Sequence, residues 1–225
     1  MDEKETGRLE AFSDGVFAVA ITLLVLNIRI PDGSMPLWPP TGEQWSMLVA
    51  YAISFFTIGI MWLNHHRLFQ HIKRADTGLM LLNLLLLAVI VFIPVPTALL
   101  SEYLTRLDQH TAAVIYTGTC FVMACCFYAL WRYASYHNRL LGKNVDAEGV
   151  ASINRQYIFG PFSYLIAFGL AWINTPAAAI FCFILALFFA LPGRSLPLRR
   201  GTPANVDAVK ASPVEDTDMA SEAER

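Results

Sequence analysis

Asp14 is the first residue whose type is at odds with its surroundings. It stands beside Ser13 and six residues after Arg8, inside the apolar run of residues 8–30. A carboxylate near membrane hydrocarbon is costly, and such groups face protein or water and mark a function. Arg8 is off the same-face spacing of three or four residues, so donors for Asp14 must come from elsewhere. The second concentration of chemistry is Trp62-Leu-Asn64-His65-His66-Arg67-Leu-Phe69-Gln-His71. There His65, His66 and Arg67 carry donors for Asp14, and Asn64 can satisfy leftover acceptors. Three chemistries fit these types. A metal site needs three ligands in suitable geometry, and adjacent His65 and His66 point about 100° apart on a helix, which argues against it. A proton relay would have Asp14 and a histidine exchange charge. A structural clamp between two helices asks for the least.

The elements that must hold these residues are membrane helices. The chain is 56% apolar and 15% charged, with mean hydropathy +0.48, against about 25% charged residues in an ordinary soluble domain. A spanning helix needs about 20 mainly apolar residues. Segments 9–30, 45–69, 77–100, 111–134, 156–174 and 176–192 approach that length, which predicts an all-α membrane protein of six transmembrane helices. Asn174-Thr175-Pro176 joins the last two in a tight turn, because Pro can open a helix. Pro94 and Pro96 predict a kink or an end in the third span. Residues 31–44 are rich in turn formers, and Trp38 and Trp45 suit an interfacial belt.

Orientation follows from Lys and Arg in the connections. One side carries twelve of these residues, from Lys4 and Arg8 to Arg199 and Arg200, and the other only Arg29 and Arg106. Both termini are therefore expected in the cytoplasm, with residues 1–193 as the transmembrane domain. Residues 194–225 form an Ala, Pro, Asp, Glu and Ser tail, too polar to fold on its own. The four Cys all lie in apolar runs and read as small core residues. No basic groove for nucleic acid is present. The first apolar run exceeds the length of a signal-peptide core and is expected to be retained.

At about 100° per residue, Phe12, Val16, Val19, Leu23, Leu26 and Ile30 form a continuous apolar stripe on the first helix. Beside it, Ala11, Gly15, Ala18 and Thr22 repeat at a small-residue spacing that lets membrane helices approach closely. Asp14 and Ser13 lie on the far side from Val19.

The segment Arg8-x-x-x-Phe12-Ser13-Asp14 followed by Ala18-Val19-Ala-Ile-Thr22-Leu-Leu-Val-Leu26 resembles the signature of the transmembrane protein 175 potassium-channel family. Further matches are His66-Arg67-Leu68-Phe69, Asp76-Thr77-Gly78-Leu79-Met80-Leu81-Leu82-Asn83-Leu84 and Phe92-Ile93-Pro94. The likeness is specific over about the first 95 residues and extends to the remaining spans by number and topology. It implies a potassium-selective leak-type channel, a homotetramer for a single-repeat bacterial member, with the first helix lining a central pore and the bacterial inner (plasma) membrane as its site. It carries the pore constriction to Val19, with Leu23 and Leu26 along the stripe, and selectivity to Thr22. The structural polar cluster falls on Arg8, Ser13, Asp14, Asn64, His65, His66 and Arg67. It implies no metal and no cofactor, potassium being the permeant ion. The constriction position is commonly Ile or Leu in the family, and Val19 is shorter by a methylene. The chain has no Thr-Val-Gly-Tyr-Gly loop, so a filter of backbone carbonyl rings is not expected.

Two other classes fit the sequence less well. A proton-coupled transporter would use Asp14 with His65 or His66, yet the middle of the first helix, Ala18 to Thr22, is nearly all apolar and lacks a broken-helix pair. An intramembrane enzyme would need more convergent polar groups than the chain offers.

Overall fold

The computed structural model describes residues 3–28, 42–103, 109–142 and 147–190, and every extended element among them is a helix. In chain order these are α1 (Glu3–Leu23), continued by a 3-10 turn (Leu24–Asn27), α2 (Gly42–His71), α3 (Thr77–Phe92), α4 (Pro94–Tyr103), α5 (Gln109–Ser135), α6 (Ala147–Ala171) and α7 (Thr175–Ala190). Ile30, Trp38, Arg29, Arg106 and the 194–225 tail lie outside the described residues.

Local chemistry sets most of the boundaries. α1 begins ahead of its apolar segment because Glu3, Lys4 and Glu5 are good helix formers, so Arg8 is inside the helix rather than before it. Asp76, extended at φ −127° and ψ 170°, caps α3 by accepting from the Leu79 N–H at 2.9 Å, an N-cap interaction. Asn174 caps α7 in the same way, through the Ala177 N–H at 3.0 Å, which leaves Pro176 in the first turn where its missing donor costs nothing. The proline break in the third span is shallow. Ile93 N–H bonds the Ile90 carbonyl at 3.1 Å and Thr97 N–H bonds that of Ile93, also at 3.1 Å, so α4 continues α3 after one turn residue.

Contacts at the helix ends order the bundle. At one end His66 meets Glu10, Arg67 meets the Ala190 carbonyl, Tyr133 meets Asp76 and Trp131 meets Asn154. At the other, Asn27 meets the Pro94 carbonyl, Ser46 that of Ser101, and His110 that of Ala171. The helical passages α1, α2, α3–α4, α5, α6 and α7 thus alternate in direction, and the start of α1 and the end of α7 share the basic end.

Four helical stretches are long and apolar enough to cross a membrane: Thr6–Asn27, Gln44–His71, Thr77–Glu102 and Gln109–Asn138. The apolar helix at Thr175–Ala190 is shorter, and α6 carries Asn154, Arg155 and Gln156 in its first half, which lowers its hydropathy. One core lies among α1, α2, α3 and α5 around Phe17, Ile58, Leu86 and Trp131. A second joins α5, α6 and α7 around Tyr116, Tyr164 and Ala178. Cys120, Cys126 and Cys182 are buried in these layers, with Cys125 at their edge. Small residues bring α5 and α6 close together, and a Cβ at Gly118 would stand 3.3 Å from the Phe168 ring.

Candidate pore helix

α1 has two sides of opposite character. Ser13, Phe17, Ala20 and Leu24 recur at spacings of four, three and four and are fully buried, fixing the helix against α2 and α3. The other side is bare. Phe12 and Val19 are each 54% exposed and Leu26 74%; Ala11, Gly15, Ala18, Thr22 and Leu23 are exposed with them, and Val16 is half-buried. A Cβ added at Gly15 would meet nothing within 4 Å. The apolar stripe and the small-residue row thus both point out of the subunit. The Thr22 hydroxyl donates to the Val19 carbonyl at 2.8 Å, leaving its oxygen lone pairs as the polar feature of that side. Below Leu23 the helix tightens into the 3-10 turn, and Asn27 Nδ2 anchors it by donating to the Pro94 carbonyl at 2.8 Å. That carbonyl lies where the proline pair disturbs the α3–α4 ladder.

The buried side is held by a chain of hydrogen bonds through three helices. Ser13 Oγ donates to the Leu9 carbonyl at 2.8 Å and accepts from Asn83 Nδ2 at 2.9 Å. Asn83 Oδ1 is 2.9 Å from His65 Nε2. With Nδ2 committed to Ser13, Oδ1 must accept, so His65 carries its proton on Nε2. All three side chains are sealed from solvent. The His65 ring lies between Phe69, centroids 4.4 Å apart, and Phe17 at 5.4 Å, and its Nδ1 has no partner.

A second, more open set runs beside it. Trp62 Nε1 donates to Asp14 Oδ1 at 2.8 Å. The Trp62 ring stacks on His66 at 6.2 Å and 21°. His66 Nδ1 donates to Glu10 Oε1 at 2.7 Å, and its Nε2 accepts from Gln70. Arg67 turns away and donates to the Ala190 carbonyl at 2.9 Å, capping the end of α7 where a cation is favoured.

The expected partners of Asp14 are therefore corrected. None of Asn64, His65, His66 or Arg67 bonds it. The reason is rotation and register. At 100° per residue, successive residues of α2 face α3 (His65), α1 (His66) and α7 (Arg67). The helices α1 and α2 are antiparallel, so one turn up α1, from Glu10 to Asp14, corresponds to one turn back along α2, from His66 to Trp62. Asn64 lies in the interior, lining a cavity of about 30 Å³ with Gln156, Tyr157 and Tyr164. Arg8 is exposed at the basic end. Asn83, which entered the sequence analysis only as part of the family resemblance, is the central link of the buried chain. Its signal was available: a lone amide in the otherwise apolar run 79–93 of a membrane helix needs a partner on another helix. Glu10 and Trp62 each sit one turn from a residue already singled out.

Both the sequence and the fold have known relatives. Residues 8–94 match the family described as the endosomal/lysosomal potassium channel TMEM175. The chain is 43% identical over 194 residues to a protein of Chamaesiphon minutus named as a potassium channel, covering 84% of this chain and 96% of that one. A protein of Streptomyces collinus, also named as a potassium channel, is 43% identical over 199 residues, covering 87% and 96%. The crystal structure of a lysosomal potassium-selective channel TMEM175 homologue from Chamaesiphon minutus superposes with a TM-score of 0.77 at 41% identity, covering 85% of this chain and all of that one. The chain belongs to the TMEM175 family.

Proposed function

We propose that this protein is a potassium-selective leak-type channel of the bacterial inner membrane. Four copies stand around one axis, with α1 of each lining the ion path. The observation that carries the reading is the outward apolar side of α1, which a single subunit leaves without a partner. Arranged around an axis, that side gives a narrow lumen with rings of Val19, Leu23 and Leu26. Such a lumen passes ions only when it widens and wets. From Val19 to Leu26 the constricted stretch is about 12 Å long, at about 1.5 Å per residue in α1 and about 2 Å in the 3-10 turn. Thr22 supplies a hydroxyl ring within it, and with no Thr-Val-Gly-Tyr-Gly stretch in the sequence, selectivity rests on pore width, dewetting and that ring. All six helical passages cross the bilayer, and both termini face the cytoplasm. Arg8, Ser13, Asp14, Asn64, His65, His66 and Arg67 serve structure rather than conduction, jointly with Glu10, Trp62 and Asn83.

The names of the bacterial relatives support potassium. A proton-coupled transporter built on Asp14 and a histidine lacks the contact it needs, because Asp14 pairs with Trp62 and His65 with Asn83. The test is flux from liposomes holding the purified protein, with potassium, sodium and protons compared in one preparation. Channel-like potassium flux without added ionophore is expected. Saturable flux driven by a pH gradient would overturn the reading.

A further inference from the structure

A crevice runs along the outer surface between α3 and α5. At the basic end it is a groove of about 420 Å³ lined by Leu82, Ala129, Arg132, Tyr133, Tyr136 and Arg139. Further along the same helices is a groove of about 500 Å³ whose walls include Val89, Phe92, Ile115, Gly118 and Val122. Leu82 and Val89 are seven residues apart on α3, as are Ala129 and Val122 on α5, and two turns return a helix to the same side. Exposed Leu85 and half-buried Cys125 fall between them, so the two grooves form one apolar track. From Arg132 to Val122 it runs about 15 Å, roughly the hydrocarbon depth of one leaflet.

Its basic end is a built site. The Arg132 guanidinium lies 5.2 Å over the Tyr136 ring and that of Arg139 lies 5.3 Å over Tyr133. Arg139 reaches this place because the chain reverses after α5 through His137 and Asn138, both left-handed at φ 50° and 54°, a conformation that residues other than glycine seldom adopt. Asp76 then fixes the arrangement, 2.9 Å from Arg139 Nη2 and 2.9 Å from the Tyr133 hydroxyl. One carboxylate faces two guanidiniums, and no carboxylate among the described residues is within ion-pair distance of Arg132. The rim is left with net positive charge. Two guanidiniums favour a phosphate, which accepts several charge-assisted hydrogen bonds. Tyr133 and Tyr136 suit the headgroup level, and basic pockets between membrane helices are the known pattern for anionic lipid headgroups.

We propose that this track binds one anionic phospholipid from the leaflet at the basic end, its phosphate held between Arg132 and Arg139 and one acyl chain lying along the α3–α5 crevice. A zwitterionic lipid would bring its own cation to a positive rim and bind less well. The test is native mass spectrometry of the delipidated full-length protein titrated with phosphatidylglycerol or phosphatidylcholine. Phosphatidylglycerol is expected to bind preferentially. Arg132→Gln should weaken it about five-fold, the equivalent of one basic side chain near a membrane surface, whereas Arg132→Lys should retain most of the binding. Arg155→Gln, a charge removed at the same end but away from the track, should have no effect. Val122→Trp, which fills the apolar groove, should weaken long-chain phosphatidylglycerol more than its short-chain analogue. Equal binding of the two lipids, equal loss in Arg132→Gln and Arg155→Gln, displacement by excess inorganic phosphate, or a track closed by a second copy in the purified assembly would each overturn the proposal.

Discussion

Replacing Asn83 by Leu should destabilise the subunit by about 2 kcal/mol, most of it through His65. Leu has the same branched skeleton as Asn and slightly more bulk, so no cavity is left behind. What is lost is the acceptor for His65 Nε2 at 2.9 Å and the donor to Ser13 Oγ at 2.9 Å. Hydrogen bonds between membrane helices average about 0.6 kcal/mol and reach about 1.7. Ser13 keeps its bond to the Leu9 carbonyl, so its loss falls at the low end. His65 already has an unpartnered Nδ1, and the substitution strands its N–H as well, at a cost of about 1 to 3 kcal/mol for a buried unsatisfied group. Phe at position 65 keeps the stacking with Phe69 and Phe17 and removes both ring nitrogens. The double variant Asn83→Leu with His65→Phe should therefore recover about 1 kcal/mol or more relative to the sum of the single losses. The assay is a double-mutant cycle of unfolding in mixed detergent micelles. Distant residues add to within about 0.3 to 0.5 kcal/mol. A cycle that closes within that margin, or an Asn83→Leu protein as stable as the parent, would refute the buried chain as the fastening of α1.

Other contacts give sharper local tests. Arg67→Met keeps the aliphatic stem and loses the bond to the Ala190 carbonyl. Unfolding measured in micelles should show about 0.3 to 1 kcal/mol less stability, the usual worth of a cation at a helix C-terminus. Gly78→Ala would press its Cβ onto the Tyr133 phenol and push Tyr133 off Asp76. Its thermal midpoint should fall, and in a Tyr133→Ala background the same change should cost little more. Asp14→Asn retains an acceptor for Trp62 and lies off the exposed stripe, so ion preference in liposome flux should be unchanged; an altered preference with normal assembly would place Asp14 in the ion path. Thr22→Ala removes the hydroxyl from the outward side of α1 and should erode the preference for potassium over sodium in the same flux measurement.

The helices were legible because their signals are one-dimensional. Runs of apolar residues, Asp76 before α3 and Asn174-Thr175-Pro176 before α7 mark positions without reference to any other part of the chain. The apolar stripe of α1 was legible for the same reason, since Phe12, Val16, Val19, Leu23 and Leu26 share a side by angle alone; that this side is the bare one is visible only in the packed subunit. Partners were not. Whether Asp14 meets His65, His66 or Trp62 depends on how α2 is rotated and where it sits along α1, and a shift of one residue turns each side chain by 100°. Pro94 illustrates a milder limit. Its missing N–H is visible in the sequence, but the 3-10 bond from Ile93 and the amide of Asn27 that together bridge the break come from the packed structure. The left-handed pair His137 and Asn138 likewise carries no turn glycine to announce it.

Potassium efflux from liposomes, compared between Val19→Ala and Val25→Ala, tests the central claim most directly. Both valines are about half exposed in the subunit, 54% and 52%, and both changes remove the same methyl groups. Val19 lies on the stripe, whereas Val25 lies about 120° around the helix from it. A lumen lined by Val19, Leu23 and Leu26 requires that Val19→Ala raise the basal flux and that Val25→Ala leave it at the parent level. Equal flux from the two variants, or an unchanged flux in Val19→Ala, would contradict it.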